Sequence, residues 1–97
     1  NMKVRWTREA ADEMKQILVH LREVNPPAAR KIRNMVLGFV DMISSMPYIA
    51  PAYQENRRYR VWAGVYPYRF FYHIDEQEDC IFIDAVIHGR QQEPYLQ

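Results

Sequence analysis

The residues with useful chemistry are few and widely spaced. There is no glycine-rich phosphate loop, no His-x-x-x-His pair and no Gly-x-Ser-x-Gly elbow. His20, His73 and His88 are scattered, and the lone Cys80 opens a strand-like run as a small buried hydrophobe. No ligand spacing fits a metal, so neither metal nor cofactor is expected. Asp84, between two apolar residues, is expected to face solvent or to pair with a neighbouring arginine. What remains is basic and aromatic: Arg57, Arg58 and Arg60 in one run, Arg69 inside Tyr68-Arg69-Phe70-Phe71-Tyr72, and His88-Gly89-Arg90. An arginine among aromatics suits phosphate or carboxylate recognition by bidentate hydrogen bonds and stacking. The simpler alternative is that these arginines are solvated outward positions of a one-sided sheet. Residues 57–90 hold five arginines and five acids, but four of the acids crowd into 75–79. A positive sheet patch is therefore possible on a nearly neutral domain.

The elements that must position these residues follow from periodicity. Lys3-Val4-Arg5-Trp6 alternates as a short strand. Thr7 offers an N-cap, and Ala10, Ala11, Met14, Ile17, Leu18, Leu21 and Val24 form one apolar stripe on a helix over about 7–24. Asn25-Pro26-Pro27 ends it and starts a second helix with the stripe Ala29, Ile32, Met35, Val36, Phe39, Val40 and Ile43. So short a connection dictates an antiparallel hairpin. Gly38 interrupts the second helix at a cost of about 1 kcal/mol against Ala, which predicts close approach of a neighbouring element. Arg30, Lys31 and Arg33 read as a solvated face.

After a loop over 47–56, the runs 58–62, 68–74 and 80–88 are β-branched and aromatic, separated by Ala63-Gly64 and by the acidic stretch 75–79. The predicted fold is α+β in the order βααβββ. Its helical hairpin packs on one face of a mostly antiparallel sheet, with Trp6, Val61, Phe70 and Tyr72 among the sheet's core residues.

Composition sets the outer bounds. Ninety-seven residues at 48% hydrophobic content make one domain, 1–97, with a thin core. Thirteen basic and twelve acidic residues leave a formal charge of +1, which excludes a histone-like binder and an acidic tail protein. One cysteine excludes a disulfide framework and fits a reducing cytosol. No apolar run approaches a membrane span. The first residues lack a signal-peptide core, and Asn1 before Met2 reads as a cloning remnant.

From Lys3 to about Pro94 the chain resembles the RelE/ParE toxins of bacterial type II toxin–antitoxin pairs. The resemblance rests on Pro67-Tyr68-Arg69-Phe70-Phe71-Tyr72 and Val86-Ile87-His88-Gly89-Arg90, spaced as they are behind a helical hairpin. It implies two alternative activities. RelE-like members cut messenger RNA on the ribosome without metal, using residues on the open sheet face and the C-terminal segment. ParE-like members share the scaffold and poison DNA gyrase.

Arg69 matches the family's mid-strand arginine, and Arg60 more loosely a basic position of the preceding strand. Arg90 is followed by Gln91, where RelE itself has a second basic residue. Tyr95 lies two positions before the place of a C-terminal catalytic tyrosine. The tail is closer to the ParE pattern. The resemblance thus implies a cytoplasmic gyrase poison acting by protein–protein binding through Arg60, Arg69, His88, Arg90 and Tyr95. The alternatives are a metal-independent nuclease with His88 and Arg69 in its site, or an inactive or differently targeted homologue. It also implies a ParD-like antitoxin partner in a hetero-oligomer, contacting Arg58, Arg60 and Arg69, with no membrane association.

Overall fold

The computed structural model describes residues 1–89 and Leu96. Strand β1 (Lys3–Trp6) leads into helix α1 (Arg8–Val24), then α2 (Pro26–Ser45), β2 (Arg60–Val65), β3 (Tyr68–Asp75) and β4 (Cys80–His88). The order βααβββ is the predicted one. Thr7 caps α1 by accepting from the Ala10 N–H, as its hydroxyl allows. Asn25 serves both helices: its N–H donates to the Leu21 carbonyl, and its side chain accepts from the Ala28 N–H. One residue joins the helices, and they pack as a hairpin.

The sheet runs β1-β4-β3-β2. The β2–β3 and β3–β4 pairs are antiparallel, and β1 lies parallel to β4, with Lys3 opposite Cys80 and Trp6 opposite Ile83. A chain that leaves β1 through two helices returns too far away for a hairpin, so a parallel edge pairing is the open route. The ribbon β2 continues past Ala63-Gly64 to Val65, further than composition suggested. Its register with β3 shifts there, between Trp62 and Val65.

The helices cover one sheet face. Ala10, Met14, Ile32, Val36, Phe39 and Ile43 meet Phe70, Tyr72, Ile81, Ile83 and Val86 in the main core. Phe39 sits at its centre, with its ring 5.0 Å from Phe70 and 6.1 Å from Tyr72. Trp6 joins this core as expected, but Val61 does not. Val61 opposes Phe71, so it faces the other side of the sheet, where Tyr53, Tyr59, Phe71 and Ala85 form a second, smaller cluster. Alternation along a strand allows only one of Val61 and Trp62 to face the helices. The larger ring takes that place, stacked on Phe39 at 6.2 Å.

Gly38 departs from expectation more sharply. A Cβ built there would meet nothing within 4 Å, so among the described residues no other element approaches it. Cys80 is buried and free, as expected. Among the described residues, no helix is long and apolar enough to cross a membrane.

Candidate functional site

The sheet face turned away from the helices carries the polar groups worth examining. On β3, Arg69, Phe71 and His73 share that face by strict alternation, while Phe70 and Tyr72 point into the main core. On β4 the alternation breaks once. Tyr72 opposes Ile83 and Phe71 opposes Ala85, so Asp84 is the extra residue of a β-bulge. The break lets Ile83 and Val86 both enter the core, three residues apart, and leaves Asp84 and Ala85 outside it.

Asp84 accordingly does not face open solvent, and among the described residues its hydrogen-bonded partner is a histidine rather than an arginine. Its Oδ2 lies 2.6 Å from His73 Nδ1, with only 13% and 14% of the two side chains accessible. Burial pushes the Asp84 carboxyl above its ordinary range. The hydrogen bond and charge of His73 and the charge of Arg58 pull it back, and Glu9 adds to the rise. The His73 ring is fixed on both sides, stacked on Phe82 at 5.3 Å and edge-on to Tyr59 at 5.6 Å. With Nδ1 held, Nε2 is the nitrogen left to accept or donate a proton.

This pair forms part of a cavity of about 500 Å³ whose polar lining includes Thr7, Glu9, Glu13, Arg58, His73 and Asp84. Ala85, Ile87 and Leu96 give it an apolar side. Glu13 reaches across from α1 to accept the Val86 N–H at 2.9 Å. Burial raises its carboxyl as well, against the lowering effect of that hydrogen bond and with a contribution from Glu9. Three carboxylates and one guanidinium thus line the same cavity. Such a mixture can hold polar side chains of a protein, and it repels a polyanion.

The residues singled out in sequence are distributed over both faces. Arg69 stands on the open face, its guanidinium 5.2 Å from the Phe71 ring centroid. Its pairing partner is Ile87, which packs on the open-face cluster. Arg58 is exposed on the same side, over the Tyr59 ring at 5.6 Å.

His88 pairs with Tyr68, whose ring packs against the main core, so both belong to the helix side. Their rings meet edge-on at 5.7 Å, and Glu13, Gln16 and His20 of α1 border the same recess. Burial raises the Tyr68 hydroxyl above its usual range.

Arg60 opposes Tyr72, which also turns it toward the helix side. It binds the loop before β2: Nη1 donates to the carbonyls of Ala50 at 2.7 Å and Tyr48 at 3.3 Å, and the guanidinium covers the Tyr48 ring at 4.8 Å. Tyr72 reinforces that loop by donating to the Pro47 carbonyl at 2.6 Å. Arg90 and Tyr95 lie outside the described residues.

Of the residues singled out in sequence, Arg58 and Arg69 share this face with the His73–Asp84 pair, which the sequence does not single out. The available signal was an aspartate inside an apolar strand. Only the bulge brings it to the histidine. Among the described residues, no group of three or more His, Cys, Asp or Glu side chains is arranged to hold a metal.

Comparison with known proteins fits this geometry. Residues 4–93 match the family described as the ParE toxin of the type II toxin–antitoxin system parDE. The curated proteins give no match. Among solved structures, the chain resembles one from the chromosomal ParDE TA system of P. aeruginosa, with 20% sequence identity and a TM-score of 0.65. The likeness covers 90% of this chain and 95% of that one, which supports the same fold. The match across nearly all of β1 to β4 places the protein: the chain belongs to the ParE toxin family of type II toxin–antitoxin systems.

Proposed function

We propose that this toxin acts in the cytoplasm by binding and poisoning DNA gyrase, and that a ParD-like antitoxin neutralises it in a toxin–antitoxin hetero-oligomer. The family supports the pairing. One observation favours recognition over RNA cleavage: Arg69 and His88 lie on opposite faces of the sheet. Cleavage of RNA by its own 2′-OH requires a base, an acid and a cation converging on one phosphate. Arg69 and His88 do not converge. The carboxylates that line the same cavity as Arg58 also disfavour a polyanion.

Protein recognition needs only anchors on a firm surface, and arginines beside aromatics, as the half-buried Arg69 and the exposed Arg58 are, commonly serve as anchors. Arg69 and Arg58 take that role for target and antitoxin, with Arg90 and Tyr95 extending the target-binding set. Arg60 contributes by holding the 47–50 loop.

The runner-up is a metal-independent, ribosome-dependent messenger nuclease. It is favoured by the half-buried His73–Asp84 pair, which would supply proton transfer in place of His88.

A paired assay tests the proposal. The purified chain is added to gyrase supercoiling and DNA-cleavage reactions, and separately to ribosomes programmed with a messenger. Loss of supercoiling with an intact messenger is expected. A cut messenger with unaffected gyrase would install the runner-up.

A further inference from the structure

The charge of the chain is divided between its two ends. The turn from β3 to β4 carries Asp75, Glu76, Glu78 and Asp79 with no base among them. The C-terminal end of α2 sits at that turn. Ser44 is hydrogen-bonded to Met2 in both directions, at 2.8 and 2.6 Å, and the next residue, Lys3, pairs with Cys80, which also lies opposite Asp75. Tyr48, just past the helix, donates to the Glu76 carboxylate. At about 1.5 Å of rise per residue, Lys31 stands about 20 Å from Ser44 along α2. The opposite end of the molecule is therefore the tip of the helical hairpin, where residues 22–37 hold four bases and one acid.

The cations of the two ends have different surroundings. Lys3 and Arg5 share a recess with Asp75, Glu78 and Asp79. Arg30, Lys31 and Arg33 are exposed in the second turn of α2, and among the described residues no ion pair engages their side chains. The β2–β3 turn lies at this same end, because Val65 shares a groove with Met35, one helical turn from Lys31. That turn presents Tyr66 at 81% exposure.

Such a set suits a row of phosphates. Two guanidinium forks and an ammonium within one helical turn can each take a phosphate oxygen, and a tyrosine hydroxyl can donate to another. Inside a protein interface three adjacent cations would be desolvated together. A duplex instead meets them at a wet surface and presents one negative charge about every 1.7 Å of its axis.

We propose that the hairpin tip is a contact for the DNA backbone, with Arg30, Lys31, Arg33 and Tyr66 holding phosphates of the duplex on which the target enzyme works. This surface is remote from the carboxylate-lined cavity of the open face. Repulsion of the acidic β3–β4 turn by the same polyanion orients the chain with its basic end toward the DNA. The inference builds on the gyrase reading above and adds a second partner to it.

The contact is read by fluorescence anisotropy of a labelled mixed-sequence DNA duplex titrated with the full chain over a range of salt. Engagement of two or three phosphates predicts a log–log salt slope of about −2 to −3. Arg30→Gln, Lys31→Gln and Arg33→Gln lie at exposed positions and keep helix propensity, so the fold should be unaffected, and each should reduce the slope by about 1. The double variant Lys3→Gln/Arg5→Gln removes cations from the other end and should bind the duplex as the wild type does. The triple variant at 30, 31 and 33 is also measured for binding to gyrase free of DNA and for gyrase-dependent DNA cleavage.

Duplex binding lost in the triple variant and kept in the Lys3/Arg5 variant supports the contact, as does cleavage weakened about tenfold or more with gyrase binding intact. No binding by the wild type at about 50 mM salt, or equal binding by the triple variant, overturns the contact and leaves the gyrase reading standing. A chain that holds the duplex through these residues but leaves gyrase untouched supports the contact and overturns the gyrase reading. Loss of affinity for DNA-free gyrase in the triple variant would assign the tip to an acidic protein surface and reject the proposal. A duplex RNA bound more tightly than the DNA would reject it as well.

Discussion

The Thr7 hydroxyl donates to the main-chain oxygen of Asp84 at 3.3 Å while accepting from the Ala10 N–H at 3.2 Å. One side chain therefore ties the first turn of α1 to the bulge of β4, 77 positions along the chain. Beyond Trp6 and Ile83, β4 has no β1 strand beside it, and the helix start takes over that edge. Thr7→Val keeps the shape and removes the cap. It should cost about 1 kcal/mol in chemical denaturation. Unchanged stability would show that the link between helix and bulge is unimportant.

Glu13 serves the same edge. Its carboxylate accepts from the Val86 N–H at a buried position, so Glu13→Ala leaves that donor without its partner. The expected loss is about 1–3 kcal/mol. Glu13→Gln keeps an acceptor and removes the repulsion with Glu9, so it should stay within about 0.5 kcal/mol of the wild type. Equal losses in the two variants would mean that charge, and not the hydrogen bond, is what the fold uses.

Asp84 gives the protein a defined pH response. Its carboxyl is raised in the folded state, mainly by burial, so between its ordinary value and the raised one the native protein holds more protons than the unfolded chain. Its contribution to stability is therefore fully present below that window and is lost as pH rises through it. Asp84→Asn removes the response. In denaturation curves, the stability of the wild type relative to this variant should improve as pH falls from 7 toward 4. A wild type that loses ground to Asp84→Asn over that range would contradict the assignment.

Arg60 illustrates how a plausible site residue can have a structural task. Its guanidinium joins the carbonyls of Tyr48 and Ala50 and covers the Tyr48 ring. Arg60→Ala should cost about 1.5–3 kcal/mol. It should also speed hydrogen exchange at the Tyr53 and Val61 amides, which bond to Tyr59 and Pro51. Unaltered exchange there would return Arg60 to the set of free recognition residues.

Much of the fold was legible in sequence because its signals are local. Thr7 and Asn25 mark helix ends by their own hydrogen bonds, and the two apolar stripes mark the faces that reach the core. The candidate site was less legible because it depends on register. Whether Arg69 and His88 share a face is decided by strand parity across the pairing of β3 with β4. The meeting of His73 with Asp84 depends on a bulge that shifts this parity by one residue. Residue types announce neither. Gly38 stands out in sequence for its helix cost, but the close neighbour this predicts is absent among the described residues, and a missing neighbour cannot be seen in a sequence.

The central claim is that the open face recognises a protein target without performing chemistry. Its most direct measurement is gyrase-dependent DNA cleavage with the wild-type chain, Arg69→Ala and His88→Gln, each first shown to be folded. An anchor worth about 2 kcal/mol predicts a loss of about 30-fold in potency for Arg69→Ala. His88→Gln, on the other face of the sheet, should remain close to wild type. Contradiction would come from a wild-type chain that leaves gyrase untouched and cuts ribosome-bound messenger.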